Sequence, residues 1–285
     1  MSQEGALILV GTPIGNLGDL TPRAVEALRD ADVIAAEDTR RTRALLSHAG
    51  VRAGRRLRAV HGRNERRLAA VIVEEVRKGS RVVYATDAGM PGISDPGERL
   101  VRACLDAGLA VEVVPGPSAL LAGLVLSGLP TQRFVFEGFL PRKGKARDER
   151  LAAIAAETRT VVLFESPVRV EATLADLAAA CGPEREVAVA RELTKRFEEV
   201  WRGTLGQATS ESAASGARGE YVVVVGPAPT IAADVDDDGL DEAVDAALES
   251  GLSTRDAAAQ VAAELAVPKR RAYDAATRLA RARRG

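Results

Sequence analysis

Three glycine- and proline-rich segments, each following an apolar run, hold the residues best suited to chemistry. Residues 7–21, LILVGTPIGNLGDLT, place Gly11, Thr12, Pro13, Gly15 and Gly18 directly after a buried-strand pattern. Glycine there permits tight turns and close backbone approach to a ligand. The glycines fall four and three apart, so the GxGxxG dinucleotide loop is not matched, and no Gly-Lys-Ser/Thr follows to make a P-loop. Residues 82–97, VVYATDAGMPGISDPG, deliver Asp87 and Asp95 into a stiff loop longer than an ordinary strand–helix connection. Residues 111–123, VEVVPGPSALLAG, end a strand in Pro115-Gly116-Pro117, and Ser118 is placed to cap the next helix. Three such strand ends imply one ligand cleft at the carboxyl edge of a sheet.

Charge is uneven along the chain. Residues 40–67 hold ten arginines against one carboxylate, Glu65, whereas residues 230–250 hold eight acids and no base. Residues 269–285 hold seven basic residues and one acid, Asp274. A formal net charge of −1 therefore conceals strong local fields, which are what steer a polyanion. Aromatics at 3% exclude a broad base-stacking platform. With His48 and His61 the only histidines and no CxxC pair, no metal site is expected. Cys104 and Cys181 lie far apart in helical patterns, which fits a reducing compartment. The start, MSQEGALILVG, lacks the basic region and long apolar core of a signal peptide, and no apolar run approaches the roughly 20 residues that span a bilayer. A soluble, cytoplasmic protein with no membrane partner is expected.

These residues need a frame. Strand patterns occur at 7–10, 33–36, 57–60, 82–86 and 111–114, then at 134–136, 161–164, 187–190, 199–204 and 221–225. Helical patterns at 23–29, 65–78, 96–107, 118–126, 146–157 and 170–180 lie between them. The alternation predicts an α/β fold with mostly parallel sheets covered by helices. Ten strands are many for one sheet, and Ser127-Gly-Leu-Pro-Thr131 is a natural joint. The expected division is an α/β domain at 1–127, a second at 128–229, an acidic linker at 230–239 and a small helical module at 240–285. In that module Val244, Leu248, Val261 and Leu265 supply the inner face, and a basic helix starts at Lys269-Arg270-Arg271.

The segments GTPIGNLGD, AEDTRRT, TDAGMPGISDPG, VVPGPSA, FEGFLPRKG, FESPVR and ARELTKRFEE run in order from residue 11 to residue 199. Together they resemble the ribosomal RNA small subunit methyltransferase I family, in the tetrapyrrole-methylase-like class of methyltransferases. The resemblance implies two α/β domains with S-adenosylmethionine between them, a homodimer, and 2′-O-methylation of a cytidine in the decoding region of 16S rRNA. It places the cofactor against Gly11, Thr12, Pro13 and Gly15, then Asp87, Gly89 and Pro91, then Ser118 and Ala119, with Phe164 and Glu165 closing it. Two positions depart from the family pattern: Thr86 stands for its usual serine and Val168 for the histidine of its ESPHR motif.

For that reaction the nucleophile must sit about 3 Å from the methyl, in line with the leaving sulfur. A ribose hydroxyl is a weak acid, so a base or cation should help its proton depart. Glu37 and Asp38, followed by Arg40, and Glu192 with Lys195 are the expected catalytic groups, with Asp38 or Glu192 as the base. Arg40, Arg41, Arg55, Arg56, Arg63 and Asn64, with Arg142, Lys143 and Arg191, are the expected RNA contacts, since guanidinium suits phosphate. Lys145 and Arg147 extend that path. His61 lies in the same stretch. Two other readings remain: a methylase acting on a tetrapyrrole, and a non-catalytic RNA-binding ribosome assembly factor.

Overall fold

The computed structural model describes residues 5–60, 65–215, 219–229, 236–265 and 267–283. These fall into two compact units, Met1–Pro227 and Ala228–Gly285, and both sheets belong to the first.

The first sheet uses β1 (Ala6–Val10), β2 (Val33–Ala36), β3 (Leu57–Ala59), β4 (Arg81–Ala85) and β5 (Ala110–Val114). Its order is β3-β2-β4-β1-β5, and every pairing is parallel, with Leu7 opposite Val82 and Val111. Apolar runs form its central strands because both faces are covered. On one face Leu7, Val82 and Tyr84 pack against α3 (Glu65–Arg77) and α4 (Glu98–Asp106) through Ile72, Val76, Leu100 and Cys104. On the other, Ile8, Ile34 and Val83 meet Ala24 and Leu28 of α1 (Pro22–Asp30) and Leu46 of α2 (Thr39–His48). Thr21 caps α1 by accepting the Ala24 N–H, and Pro22 occupies its first turn.

The second sheet departs from the parallel expectation. It comprises β6 (Phe134–Phe139), β7 (Thr160–Glu165), β8 (Glu186–Arg191), β9 (Glu199–Thr204) and β10 (Tyr221–Val225), ordered β6-β7-β10-β8-β9. Only β6 and β7 are parallel; β10 runs antiparallel to both its neighbours, and β8 and β9 form a hairpin. A run such as Tyr221–Val225, buried on both faces, reads the same in either direction, so its pattern does not encode orientation. One face packs against α6 (Lys145–Ala156), α7 (Val170–Cys181) and α8 (Leu205–Ser215) through Ile154, Leu174, Leu177 and Leu205. The other face, with Val162, Val222 and Val224, is covered by Leu124 of α5 (Ala119–Ser127), together with Ile14 and Leu193. A helix that follows the first sheet thus closes the second.

In the second unit, α9 (Asp237–Glu249), α10 (Thr254–Glu264) and α11 (Lys269–Ala282) share a core that includes Val244, Val261, Ala272 and Ala276, with Leu248 and Leu265 packed at its margin. The first of these helices begins inside the stretch expected to be linker. Arg271, Arg278 and Arg283 of the basic segment pair with Asp237, Asp241 and Asp245 at 2.7, 2.6 and 2.8 Å. Among the described residues, no helix is long and apolar enough to cross a membrane.

Candidate active site

The three glycine-rich strand ends are knitted into one surface. The Gly11 N–H donates to Val114 O at 2.9 Å, joining the β1 and β5 ends. Thr12 and Gly89 exchange backbone hydrogen bonds of 2.9 and 3.1 Å, joining β1 to the loop after β4. A side chain at Gly11 would begin 2.6 Å from Gly116 N and 2.7 Å from its Cα, so backbone meets backbone there and only glycine fits. Ser118 caps α5, accepting the Leu121 N–H at 3.5 Å.

Above this surface lies a cavity of about 410 Å³ with walls from both sheets. Ile14, Phe139, Phe164 and Val222 give it an apolar side, and Glu37, Asp87, Asp95 and Glu220 ring it with carboxylates. Phe164 meets Phe136 and Phe139 edge-on, with ring centres 4.9 and 5.9 Å apart. An adjoining recess of about 300 Å³ is lined by Thr12, Pro13, Gly15, Arg41 and Lys195.

The segment 192–195 comes from the second sheet and closes on the first glycine loop. Asn16 N–H donates to Thr194 Oγ1 at 3.1 Å, and Lys195 Cγ would lie 2.4 Å from any Cβ at Gly15. Ser94, Glu192 and Thr194 have φ of 61°, 51° and 65°, left-handed values that cost non-glycine residues energy. All three lie in the two loops that frame the cavity, where strain is retained because the surrounding structure holds it.

The charges divide into two kinds. The Asp95 carboxyl is pushed up from 3.8 to about 7, first by burial, then by the carboxylates of Glu37, Asp87 and Glu220. Asp38, in contrast, caps α2 through the Arg40 N–H at 2.8 Å and is held by the Arg40 guanidinium at 2.8 Å. That side-chain hydrogen bond drives its pKa well below the usual carboxylate range. Glu192 is lowered by its hydrogen bond from Lys195 Nζ at 2.8 Å. Burial acts to lower Lys195, but Glu192 and Glu220 outweigh it and raise the ammonium.

Of the residues expected to meet the cofactor, Asp87, Gly89, Ser118, Ala119, Phe164 and Glu165 line the cavity, while Thr12, Pro13 and Gly15 line the adjoining recess. Gly11 forms the surface beneath, and Pro91 is buried without lining either space. The Glu165 carboxylate is spent on its own loop, accepting from Ser166 N at 2.7 Å and Thr173 Oγ1 at 2.8 Å, with Arg169 at 3.3 Å. Glu37 and Lys195 line the cavity; Asp38, Arg40 and Glu192 do not.

The arginines separate in the same way. Arg41 lines both spaces and faces Asp87 at 3.6 Å. Arg56 is taken up by carbonyls, donating to Arg29 O at 2.9 Å and Ala31 O at 2.5 Å at the end of α1. Arg191 is held by Glu199 at 2.7 Å. Arg147 is buried and holds Asp176, Thr173 and the Pro141 carbonyl, so it is not part of a surface path. Arg55, Arg142 and Lys143 are exposed, and Arg63, Asn64 and His61 lie outside the described residues. Sequence reasoning assigned no site role to Asp95, Phe139 or Glu220. The first two stand inside motifs already singled out, whereas Glu220, just before β10, carries no local signal. Among the described residues, no group of three His, Cys, Asp or Glu side chains is placed to hold a metal ion.

Known proteins resemble this chain in sequence and fold. The family model for tetrapyrrole (corrin/porphyrin) methylases matches residues 6–209. A ribosomal RNA small subunit methyltransferase I from Synechocystis sp. is 42% identical over 270 residues, 94% of this chain and 96% of that protein. A protein of the same name from Xylella fastidiosa is 50% identical over 227 residues, covering 79% and 82%. Among solved structures, cobalt precorrin-4 methyltransferase superposes with a TM-score of 0.59 at 20% identity, covering 79% of this chain and 95% of that one. Uroporphyrin-III-C-methyltransferase from Thermus thermophilus gives 0.54 at 22%, covering 78% and 94%. These likenesses show the same fold. With the matched model spanning β1 to β9 and relatives this similar over most of their length, the chain belongs to the tetrapyrrole (corrin/porphyrin) methylase family.

Proposed function

We propose that this chain transfers a methyl group from S-adenosylmethionine to small-subunit ribosomal RNA, at the ribose 2′-hydroxyl of a cytidine in the 16S decoding region. The carrying observation is the cavity at three knitted strand ends, apolar on one side and ringed by carboxylates on the other. The names of the relatives above support small-subunit ribosomal RNA as the acceptor.

The residues present fit the cofactor. A ligand bearing a sulfonium and an ammonium suits Glu37, Asp87, Asp95 and Glu220, and a flat base suits the wall made by Phe139, Phe164 and Ile14. The cofactor brings an already activated methyl group, so the protein's share is placement and proton handling. Asp87 and Asp95 hold the cationic end. Glu37 is the expected catalytic acid that lines the cavity, and it accepts the hydroxyl proton. Arg41, exposed and facing the recess, holds a phosphate of the acceptor.

The working form is a homodimer acting in the cytoplasm. α5 is apolar around its whole circumference, and Leu121 and Val125 remain 51% and 71% exposed. A helix of that character requires a partner on its open side, and a second copy offers the matching face.

The test is transfer from labelled S-adenosylmethionine to small subunits lacking their own 2′-O-methylation, with the product mapped by nuclease digestion and mass spectrometry. Label on one cytidine ribose establishes the reaction. Label on a porphyrinoid but not on RNA would move the acceptor to a tetrapyrrole, and RNA binding with no turnover would leave an assembly factor.

A further inference from the structure

The loop joining β8 to β9, residues 192–198, is tied by its own hydrogen bonds. Besides the left-handed Glu192 and Thr194, the Glu198 carboxylate accepts the Thr194 N–H at 2.6 Å, and Lys195 N–H donates to Glu192 O at 2.9 Å. Lys195 lines the cavity and its adjoining recess. Immediately after it, Arg196 and Phe197 turn outward.

Phe197 is 72% exposed, and the Arg196 guanidinium carbon lies 5.6 Å from its ring centre. The chain has five phenylalanines. Phe134, Phe136 and Phe164 pack against the core on the second sheet, Phe139 lines the cavity, and the fifth is displayed on this loop. A ring presented without internal cover, beside a cation, on a loop tied by its own hydrogen bonds, is placed before anything binds. Aromatic rings and guanidinium planes together are what single-stranded nucleic acid stacks on, and the neighbouring Lys195 and Arg41 suit the attached phosphates.

We infer that Arg196 and Phe197 form a stacking shelf for one unpaired base of the RNA acceptor, fixing the strand so that the target ribose faces the cavity. The shelf rests on the RNA reading above, and it adds a positioning device to it. A single aromatic suffices because one base is held, which is compatible with a chain so poor in aromatics.

Wild-type transfer to small subunits is measured first, and its failure would overturn the RNA reading and the shelf together. With transfer established, Phe197→Ala should raise KM for the subunit about tenfold, the size expected for one stacked base. The turnover number and calorimetric affinity for S-adenosylmethionine should stay at wild-type levels. Phe197→Trp should restore KM, and its emission should be quenched by RNA once the Trp201 signal seen in Phe197→Ala is subtracted. An unchanged KM in Phe197→Ala overturns the shelf while leaving the RNA reading intact. A changed oligomeric state in that variant also overturns it, by assigning the ring to a contact between copies.

Discussion

The backbone N–H of Asp38 donates to the Asp87 carboxylate across 3.0 Å, tying the end of β2 to the end of β4. The same carboxylate faces Arg41 at 3.6 Å, so one side chain sets the spacing of two strand ends and the position of a cation. Asp87→Asn keeps an acceptor oxygen for Asp38 but removes the charge. It should unfold within about 0.5 kcal/mol of wild type, whereas Asp87→Ala should lose about 1–2 kcal/mol with the hydrogen bond. Both should weaken S-adenosylmethionine binding by calorimetry. Wild-type affinity in Asp87→Asn would show that this charge does not face the cofactor.

Asp95 gives the site a pH dependence. Its folded-state pKa of about 7 lies above the ordinary 3.8, so the fold favours the protonated carboxyl. That contribution to stability is complete below about 3.8 and is lost as pH rises to about 7, leaving the ligand-free protein less stable at pH 8 than at pH 5 from this group. A cationic ligand reverses the preference. S-adenosylmethionine affinity should rise with pH, approaching about tenfold per unit below 7, and level off above it. Glu37, Asp87 and Glu220 set the background field, which Asp95→Asn leaves in place while flattening the profile. A calorimetric titration across pH 5.5–8.5 reads this directly, and an unflattened profile in the variant would place the titrating group elsewhere.

Gly11 and Gly116 approach backbone to backbone, so neither tolerates a side chain. Gly11→Ala would set a carbon 2.6 Å from Gly116 N, and the surface under the cavity would have to part. A drop of more than tenfold in cofactor affinity is expected, with a lower unfolding temperature. Gly18→Ala is the control, because its Cβ meets only the Asn16 side chain at 3.2 Å. Equal behaviour of the two variants would mean that the close approach has no bearing on binding.

How much of this was legible follows from where the information lies. β2, β9 and β10 coincide with their apolar patterns because burial of consecutive or alternate residues is a local requirement. α2 was hidden because TRRTRALLSH reads as a charged belt, although Thr42, Leu45 and Leu46 form a buried stripe. α8 was hidden because LGQATSESAAS is rich in Ser, Thr and Gly, and tertiary burial of Leu205 and Ala208 overrides that weak propensity. The strand ends announced a cleft, but not the crossing in which Asn16 meets Thr194. Likewise, Asp95 is lifted by burial and by the charges of Glu37 and Glu220, distant in sequence, so its motif alone could not distinguish it from Asp87.

The open face of α5 predicts assembly. Val125→Glu adds a charge where the replaced side chain is 71% exposed, so the fold of one chain should be unaffected. If a second copy covers this face, the substitution should shift the protein from dimer to monomer in light scattering at micromolar concentration. A wild-type monomer, or a dimer insensitive to Val125→Glu, would remove α5 from the interface.

Glu37 and Asp38 are adjacent acids with opposite prospects. Asp38 is bound by Arg40 through its side chain and caps α2, and its strongly lowered pKa makes it a poor proton acceptor. Glu37 lines the cavity. Glu37→Gln should therefore cut turnover on small subunits by about 10²–10⁴-fold, the range for losing a general base, with cofactor affinity reduced far less. Asp38→Asn should keep turnover within a few-fold, since the amide oxygen still caps the helix, while Asp38→Ala should lower the unfolding temperature with the loss of the cap. Measuring kcat separately from KM decides between them, because a base acts on the chemical step and a cap on folding. Loss of turnover in Asp38→Asn with Glu37→Gln unaffected would exchange the two roles.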